Sequence, residues 1–326
     1  MDHRDVLPAD SIGALALQRI RRSRHWRVLS VNRCCFYCED DNGAIICIGT
    51  EIVGRGPITI KGKAIGVFLK RGISAGDALY SVDGLLTLPT CQQAIDLQAA
   101  EIWEESFDLS PHDLPGLESD IEALIRLARR EAPDESLGAL IPAIFSGSFQ
   151  DIEPSGASKR LTQQLHGKAL IVMRKAYRDG GHRHQQSMAE ILAVRLGSLI
   201  GTGYGLTPSG DDFCCGVVLG MAHMGDYRNA RELAELLKKA AEGKTTRISQ
   251  AYYESLAESL VAEPQARLLA SFGDSGGVDI REILMNNANH GSTSGWDMLA
   301  GFAFGLKLMK KRQRTGRIVC RQRCVC

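Results

Sequence analysis

Residues 201–220, GTGYGLTPSGDDFCCGVVLG, constrain this chain more than any other stretch. Gly201, Gly203 and Gly205 stand at alternate positions, and Thr207, Pro208, Ser209, Gly210, Asp211 and Asp212 follow before the composition turns small and apolar. Glycines at this density admit positive φ and let a ligand or a second segment approach the main chain closely. The pattern predicts a buried helix over 189–200, a glycine-rich loop, and a second buried helix from about Asp211. Ser209 or Asp211 suits the N-cap of that second helix. The free N–H groups of such a start favour an anion, whereas the two aspartates oppose one unless a cation intervenes. The Lys-[Ser/Thr] of a phosphate-binding Walker loop is missing, and no β-branched strand precedes the glycines as a dinucleotide fingerprint requires. A tight helix–loop–helix with a capping Ser and Asp would account for the glycines. It does not require Thr, Ser and two Asp in one loop.

Two later stretches share this form. In GKTTRISQAYYESLAE, residues 243–258, Thr245 and Thr246 stand at a predicted helix start with Ser249 three positions after Thr246. Capping explains the hydroxyls. Arg247 on the first turn opposes the helix dipole, so an anionic ligand, Asp211 or Asp212 is expected to hold it. Its planar fork suits carboxylate or phosphate. In NANHGSTSGWDMLAGFAFG, residues 287–305, His290, Ser292, Thr293, Ser294 and Asp297 precede or open a helix of small and apolar residues. Gly301 and Gly305 suggest tight packing against a neighbouring helix, and His290 is either a plain turn residue or a ligand contact. If the three starts converge, they form an anion site with carboxylates beside it. The expectation is one pocket lined by Asp211 or Asp212, Arg247, and His290 or Ser294.

The remaining chain sets the frame. Its 326 residues suffice for two cored domains, with 44% hydrophobic and 24% charged residues as in ordinary globular proteins. A net charge of +1 makes no case for a nucleic-acid or membrane partner. No apolar run approaches the ~20 residues a spanning helix needs. MDHRDVLPADSIGALAL makes a poor signal peptide, and ten cysteines scattered without a framework suggest a reducing cytoplasm. Cys34-x3-Cys38 with the tail cysteines could be drawn as a zinc site, but the spacing is not that of a zinc ribbon; reduced, metal-free thiols are expected. A short helix and a basic turn are predicted over 1–25, strands over 26–90, including IGVFLKRG, and helices from Cys91, starting with QQAIDLQAAEIWEESFD. The fold class expected is therefore α+β. A small antiparallel β domain, barrel or sandwich, spans 1–90, and a larger, mostly helical domain carrying the site spans 91–311. The basic tail, 312–326, is expected to be disordered. The loop SGSFQDIEPSGAS is the predicted boundary or mobile segment.

GLTPSGDDF with its glycine-rich lead, TTRIS at a helix head and HGSTSGWDMLAG near the end resemble, in that order, a bacterial and archaeal family once catalogued as a domain of unknown function. That family includes the smallest of the three subunits of oxamate carbamoyltransferase. The resemblance covers residues 190–305 and is fainter over Trp26–Leu88; where the family has Gly-Pro-Gly, this chain has Gly203-Tyr204-Gly205. It implies a role in anaerobic allantoin breakdown, in which oxalurate and phosphate become oxamate and carbamoyl phosphate. It also implies two other protein subunits, one similar to succinyl-CoA synthetase. The residues fit in outline. N–H groups from Gly203 to Gly210, with Gly205, Thr207, Ser209, Thr246, Arg247, Ser294 and Asp297, could hold phosphate or the oxalurate carboxylate. Asp211, Asp212 or His290 could manage protons, or the two Asp could hold Mg²⁺. A non-catalytic anion-binding or scaffolding subunit and a stand-alone Mg²⁺-dependent phosphotransferase are the alternatives.

Overall fold

The structure, a computed structural model, describes residues 5–107, 114–146, 160–179, 187–274 and 279–323. Residues 147–158 of the expected boundary loop and the last three residues of the basic tail lie outside the described residues.

The chain divides into two units, Met1–Ser106 with Leu260–Glu263, and Phe107–Ser259 with Pro264–Cys326. The first is built on one sheet. In chain order it runs β1 (Asp5–Pro8), β2 (Ser11–Gly13), α1 (Ala14–Arg22), β3 (His25–Val31), β4 (Cys35–Asp40), β5 (Ile45–Gly49), β6 (Thr59–Lys61), α2 (Gly66–Lys70), β7 (Ala78–Val82), β8 (Leu85–Leu88), β9 (Gln93–Asp96) and β10 (Glu101–Trp103). The strands lie in the order β1-β9-β8-β7-β3-β4-β5-β6-β2-β10. Alternation turns Trp26 and Val28 of β3, and Phe36 and Cys38 of β4, into the core with Ile46, Ile48, Ile60, Phe68, Leu79, Leu86 and Ile95. β5 is buried along its whole length, as expected of a strand covered on both faces.

Local hairpins follow the sequence. Asp41-Asn42-Gly43 joins β4 to β5, and Asp83-Gly84 joins β7 to β8, both pairs antiparallel. The sheet as a whole is mixed rather than antiparallel, because β1 pairs with β9, β5 with β6 and β2 with β10 in parallel. These pairings join strands distant in sequence or separated by a crossover, which no turn residue announces. Residues 66–70, expected as strand, are helical, since a short apolar run does not itself distinguish the two. Residues 93–96 and 101–103, expected as helix, are strands. Ala94 and Ile95 are fixed between β8 and β1, and this long-range pairing overrides a helical spacing. The N-terminal segment likewise holds two strands before and beside α1. Leu260–Glu263 is fastened to this unit: the Val261 N–H donates to the Glu105 carbonyl at 2.9 Å, and the Val261 carbonyl accepts from Trp103 Nε1 at 2.9 Å. Arg55 lies over the Trp103 ring and pairs with Glu263 at 3.3 Å.

The second unit is helical: α3 (Leu117–Glu131), α4 (Ile141–Ser146), α5 (Arg160–Asp179), α6 (Met188–Leu196), α7 (Ser209–His223), α8 (Tyr227–Ala241), α9 (Arg247–Ala257), α10 (Glu263–Ser271), α11 (Ile280–Ala288) and α12 (Ser294–Arg323). α12 continues through the basic segment to Arg323, where disorder is expected from composition; Lys, Arg and Gln are good helix formers. α7 is apolar nearly all round and buried on almost every side. Its closest neighbour is α12, and glycines set the contact. A Cβ on Gly216 would fall 2.0 Å from the Met298 carbonyl oxygen, and one on Gly220 2.4 Å from that of Phe302. From the other side, a Cβ on Gly301 would fall 1.9 Å from the Phe213 carbonyl oxygen, and one on Gly305 2.7 Å from that of Val217. The contacts advance in the same direction along both helices, so α7 and α12 run parallel and start at the same end.

This packing makes a direct prediction. Gly301→Ala should lower stability by roughly 1–3 kcal/mol through overpacking. Gly167→Ala, in the α5 interior where an added Cβ meets nothing within 4 Å, should raise it by about 0.5–1 kcal/mol. Urea unfolding of the two variants beside the parent checks both signs.

Candidate functional site

The parallel start of α7 and α12 is where the site forms. α7 begins at Ser209 with Pro208 in the cap position, and neither Ser209 nor Asp211 caps it. Asp211 is committed elsewhere. Its Oδ2 accepts the Gly201 N–H at 2.8 Å and the Thr245 hydroxyl at 3.0 Å, while the Tyr253 hydroxyl donates to its main-chain carbonyl at 3.4 Å. Thr246 caps α9 as expected, accepting the Ser249 N–H at 3.1 Å, and its hydroxyl donates to the Leu206 carbonyl. The glycine loop is thereby tied to the start of α9. Gly201, at φ +72°, also lies so close to the Lys244 carbonyl that a Cβ would sit 2.2 Å from its oxygen.

Adjacent helical residues point about 100° apart, so Asp212 faces α12 instead. The Ser294 and Thr207 hydroxyls lie beside its carboxyl, and these two hydroxyls share a 2.8 Å hydrogen bond. Asp297, in the first turn of α12, accepts the Leu137 N–H at 2.6 Å and has the Ser209 and Thr293 hydroxyls beside it. The three sequence clusters therefore meet: the first touches the second through Asp211–Thr245 and Thr246–Leu206, and the third through Thr207–Ser294.

Burial shapes the electrostatics. Desolvation raises the Asp211 carboxyl above its usual range despite the hydrogen bonds that oppose it. Asp212 is pushed well above that range by burial first and by the Asp297 charge second. Asp297 is pushed up to about 6 by burial, against the pull of the Leu137 N–H. Each of the three keeps one shielded, unpartnered oxygen: Oδ1 of Asp211, Oδ2 of Asp212 and Oδ2 of Asp297. The Cys215 thiol, one turn beyond Asp212, is pushed well up by burial, so it stays protonated and is a poor nucleophile.

The loop offers donors. The N–H groups of Gly203, Tyr204, Gly205, Leu206 and Thr207 take part in no hydrogen bond among the described residues. The Gly210 N–H does not join them, because it is given to the Thr202 carbonyl at 2.8 Å, and Gly210 is packed against the Leu199 carbonyl. Gly203 and Gly205 hold φ of +117° and +92°, and the Tyr204 side chain between them is 71% exposed. Arg247 is exposed on the first turn of α9, and Asp211, one of the two carboxylates expected to hold it, turns to Gly201 and Thr245 instead. His290 is exposed on the turn before α12, where its carbonyl accepts the Gly295 N–H at 2.9 Å. Asp297, expected to contact substrate, is fully buried.

Two contributors escape sequence reasoning. Lys168 of α5 reaches the loop, its Nζ donating to the Thr202 hydroxyl at 2.8 Å; on its own helix it looks like any solvated lysine. Leu137 supplies a main-chain donor, which no side-chain pattern could reveal. The pairing of α7 with α12 did leave a signal, the matching four-residue glycine spacings 216/220 and 301/305. The donor set suits Mg²⁺ poorly. Asp211 and Asp212 face different helices, one oxygen of Asp211 already takes two donors, and among the described residues no three His, Cys, Asp or Glu are grouped as metal ligands.

Asp211→Ala should cost roughly 1–3 kcal/mol, because the Gly201 N–H and the Thr245 hydroxyl lose their acceptor. Asp297 adds a pH dependence. Its folded value lies above its unfolded one, so its stabilising share is whole below about pH 4 and is lost as pH rises through about 6. Asp297→Asn should flatten that decline in urea unfolding followed from about pH 4 to 7.

No described helix is long and apolar enough to cross a membrane. Neither a curated protein nor a solved structure matches the chain. Residues 199–306 match the family model of the oxamate carbamoyltransferase subunit AllH. That match spans the loop and the starts of α7, α9 and α12, so the family resemblance drawn from the sequence is borne out for this part of the chain.

Proposed function

We propose that the chain is a subunit of an oxamate carbamoyltransferase-type complex that converts oxalurate and phosphate to oxamate and carbamoyl phosphate in allantoin catabolism. The observation that carries this reading is the meeting of three helix starts around a loop with uncommitted N–H groups, beside a half-buried Asp212. Phosphorolysis of a ureido carbonyl needs a held anion, a polarised carbonyl and a proton for the departing nitrogen. The N–H groups from Gly203 to Thr207 hold the phosphate or the oxalurate carboxylate, with Lys168 and Arg247 at the rim for charge. A phosphate oxygen attacks the ureido carbon. The new C–O bond forms, the C–N bond breaks, and its electron pair leaves with the oxamate nitrogen, which takes a proton from the Asp212 carboxyl. Two further protein subunits, one similar to succinyl-CoA synthetase, complete the assembly in the cytoplasm. The stand-alone Mg²⁺-dependent alternative is disfavoured by the donor set.

The test is reconstitution. Carbamoyl phosphate should form from oxalurate and phosphate when this chain is combined with its partner subunits. Asp212→Asn should lower turnover by two orders of magnitude or more, within the range of general-acid effects, with little change in melting. Equal turnover by the partner subunits with and without this chain would exclude a catalytic part for it and favour a scaffold.

A further inference from the structure

The sheet unit carries a thiol cluster that the site above does not use. Phe36 and Cys38 of β4 and Ile46 and Ile48 of β5 belong to the core, so alternation puts Cys35, Tyr37 and Cys47 together on the opposite face. The register sets Cys35 against Gly49 and Tyr37 against Cys47, which makes Cys35 and Cys47 diagonal neighbours on that face. Gly49 offers no side chain, and Val53 packs over it: a Cβ there would fall 2.7 Å from Val53 Cγ2. The partner left to the Cys35 thiol across the strand is Cys47, and the two thiols share a hydrogen bond. Asn32 gives Cys35 a second side-chain hydrogen bond, and its N–H donates to the Cys35 carbonyl at 2.7 Å. Both cysteines are free; Cys35 is partly exposed and Cys47 is buried. Among the described residues no three metal-binding groups are gathered, so the donor set here suits thiol chemistry better than a metal.

We propose that Cys35 and Cys47 are a hydroperoxide-reactive thiol pair, in which Cys35 is oxidised first and Cys47 then closes a disulfide onto it. The pair lies within the first unit and is independent of the carbamoyltransferase reading. The hydrogen bond from Cys47, helped by Asn32, outweighs burial and brings the Cys35 thiol below its usual range, so Cys35 supplies the thiolate. The same bond, together with burial, pushes the Cys47 thiol well up, and Cys47 keeps its proton. In the first step the Cys35 thiolate attacks one oxygen of a hydroperoxide. The S–O bond forms, the O–O bond breaks, and the departing oxygen leaves with the electron pair and takes a proton from solvent. Sulfur loses two electrons, and the peroxide is reduced to an alcohol or water. A neutral sulfenic acid then stands in place of the thiolate, which removes the charge that held the Cys47 proton. The Cys47 sulfur attacks Cys35 Sγ. The S–S bond forms, the S–O bond breaks, and hydroxide leaves with the Cys47 proton as water. Diagonal neighbours stand about 7–8 Å apart at Cα, wider than a relaxed disulfide spans, so closure draws the strands together. Cys35 is the first residue of β4, beside the turn from β3, where the backbone yields most easily. The bond so formed is strained and readily reduced, as reversible disulfides are.

Peptide mapping of the purified, reduced full chain tests the pair. The chain is exposed briefly to hydrogen peroxide, its remaining thiols are alkylated, and it is cut after Phe36 or Tyr37 and before Asp40 or Asp41, which separates Cys35, Cys38 and Cys47. The parent should yield a linked peptide pair whose fragments assign the bond to Cys35 and Cys47, and dithiothreitol should release it. In Cys47→Ala a Cys35 sulfenic acid, trapped by dimedone, should take its place. Before oxidation, iodoacetamide at neutral pH should label Cys35 several-fold faster than Cys34 in the parent, and that lead should shrink in Cys47→Ala, which lacks the donor. Peroxide that leaves Cys35 reduced in the parent, or oxidises Cys34 in its place, would overturn the proposal, and neither observation needs a variant to fold. A Cys35 sulfenic acid that persists in the parent with no bond to Cys47 would overturn it equally.

Discussion

The close approach of the α7 and α12 backbones is the constraint on which the rest of the second unit depends. Four glycines, 216 and 220 on one helix and 301 and 305 on the other, remove the side chains that would hold the helices apart. Contact of this kind fixes direction as well as distance, and here the helices run parallel. Two positive dipole ends then lie together, which is unfavourable unless negative groups face them. Asp211, Asp212 and Asp297 stand in those first turns. The carboxylates that look excessive for capping are the counterpart of a packing choice made further along the same helices.

The two adjacent aspartates divide the work by geometry. Asp211 turns to the start of α9 and binds the loop to it, through the Gly201 N–H and the Thr245 hydroxyl. Asp212 turns to the start of α12, where hydroxyls and a second carboxyl surround it. Asp211 takes two donors on the oxygen it uses, whereas burial pushes the Asp212 carboxyl well above its usual range. A hundred degrees of helix rotation sends the two carboxyls to different helix starts.

Local features of the sequence were readable, and non-local ones were not. The hairpins at Asn42-Gly43 and Asp83-Gly84, the helices from α5 onward and the Thr246 cap follow from nearest neighbours in the chain. The parallel strand pairs and the strands at 93–96 and 101–103 depend on partners far away, which no short-range pattern encodes. The same divide runs through the site. Thr207, Asp212, Thr246 and Ser294 were visible because each heads a helix beside small residues. Lys168 and the Leu137 N–H come from elsewhere in the fold. Ser209 and Asp211 were expected to cap α7 because capping is what such residues do when nothing else claims them; here neighbouring helix starts claim them first. His290 and Arg247 stood out by type, and both are exposed residues on the turns that open α12 and α9.

The central claim is that the three helix starts and the glycine loop form one anion-holding site. It is tested most directly by amide NMR of the isotope-labelled full chain titrated with inorganic phosphate. The account predicts saturable shifts concentrated at the Gly203, Tyr204, Gly205, Leu206 and Thr207 amides, with the hydrogen-bonded Gly210 amide moving far less. Shifts confined to other surfaces, or no saturable shift in this loop, would contradict it.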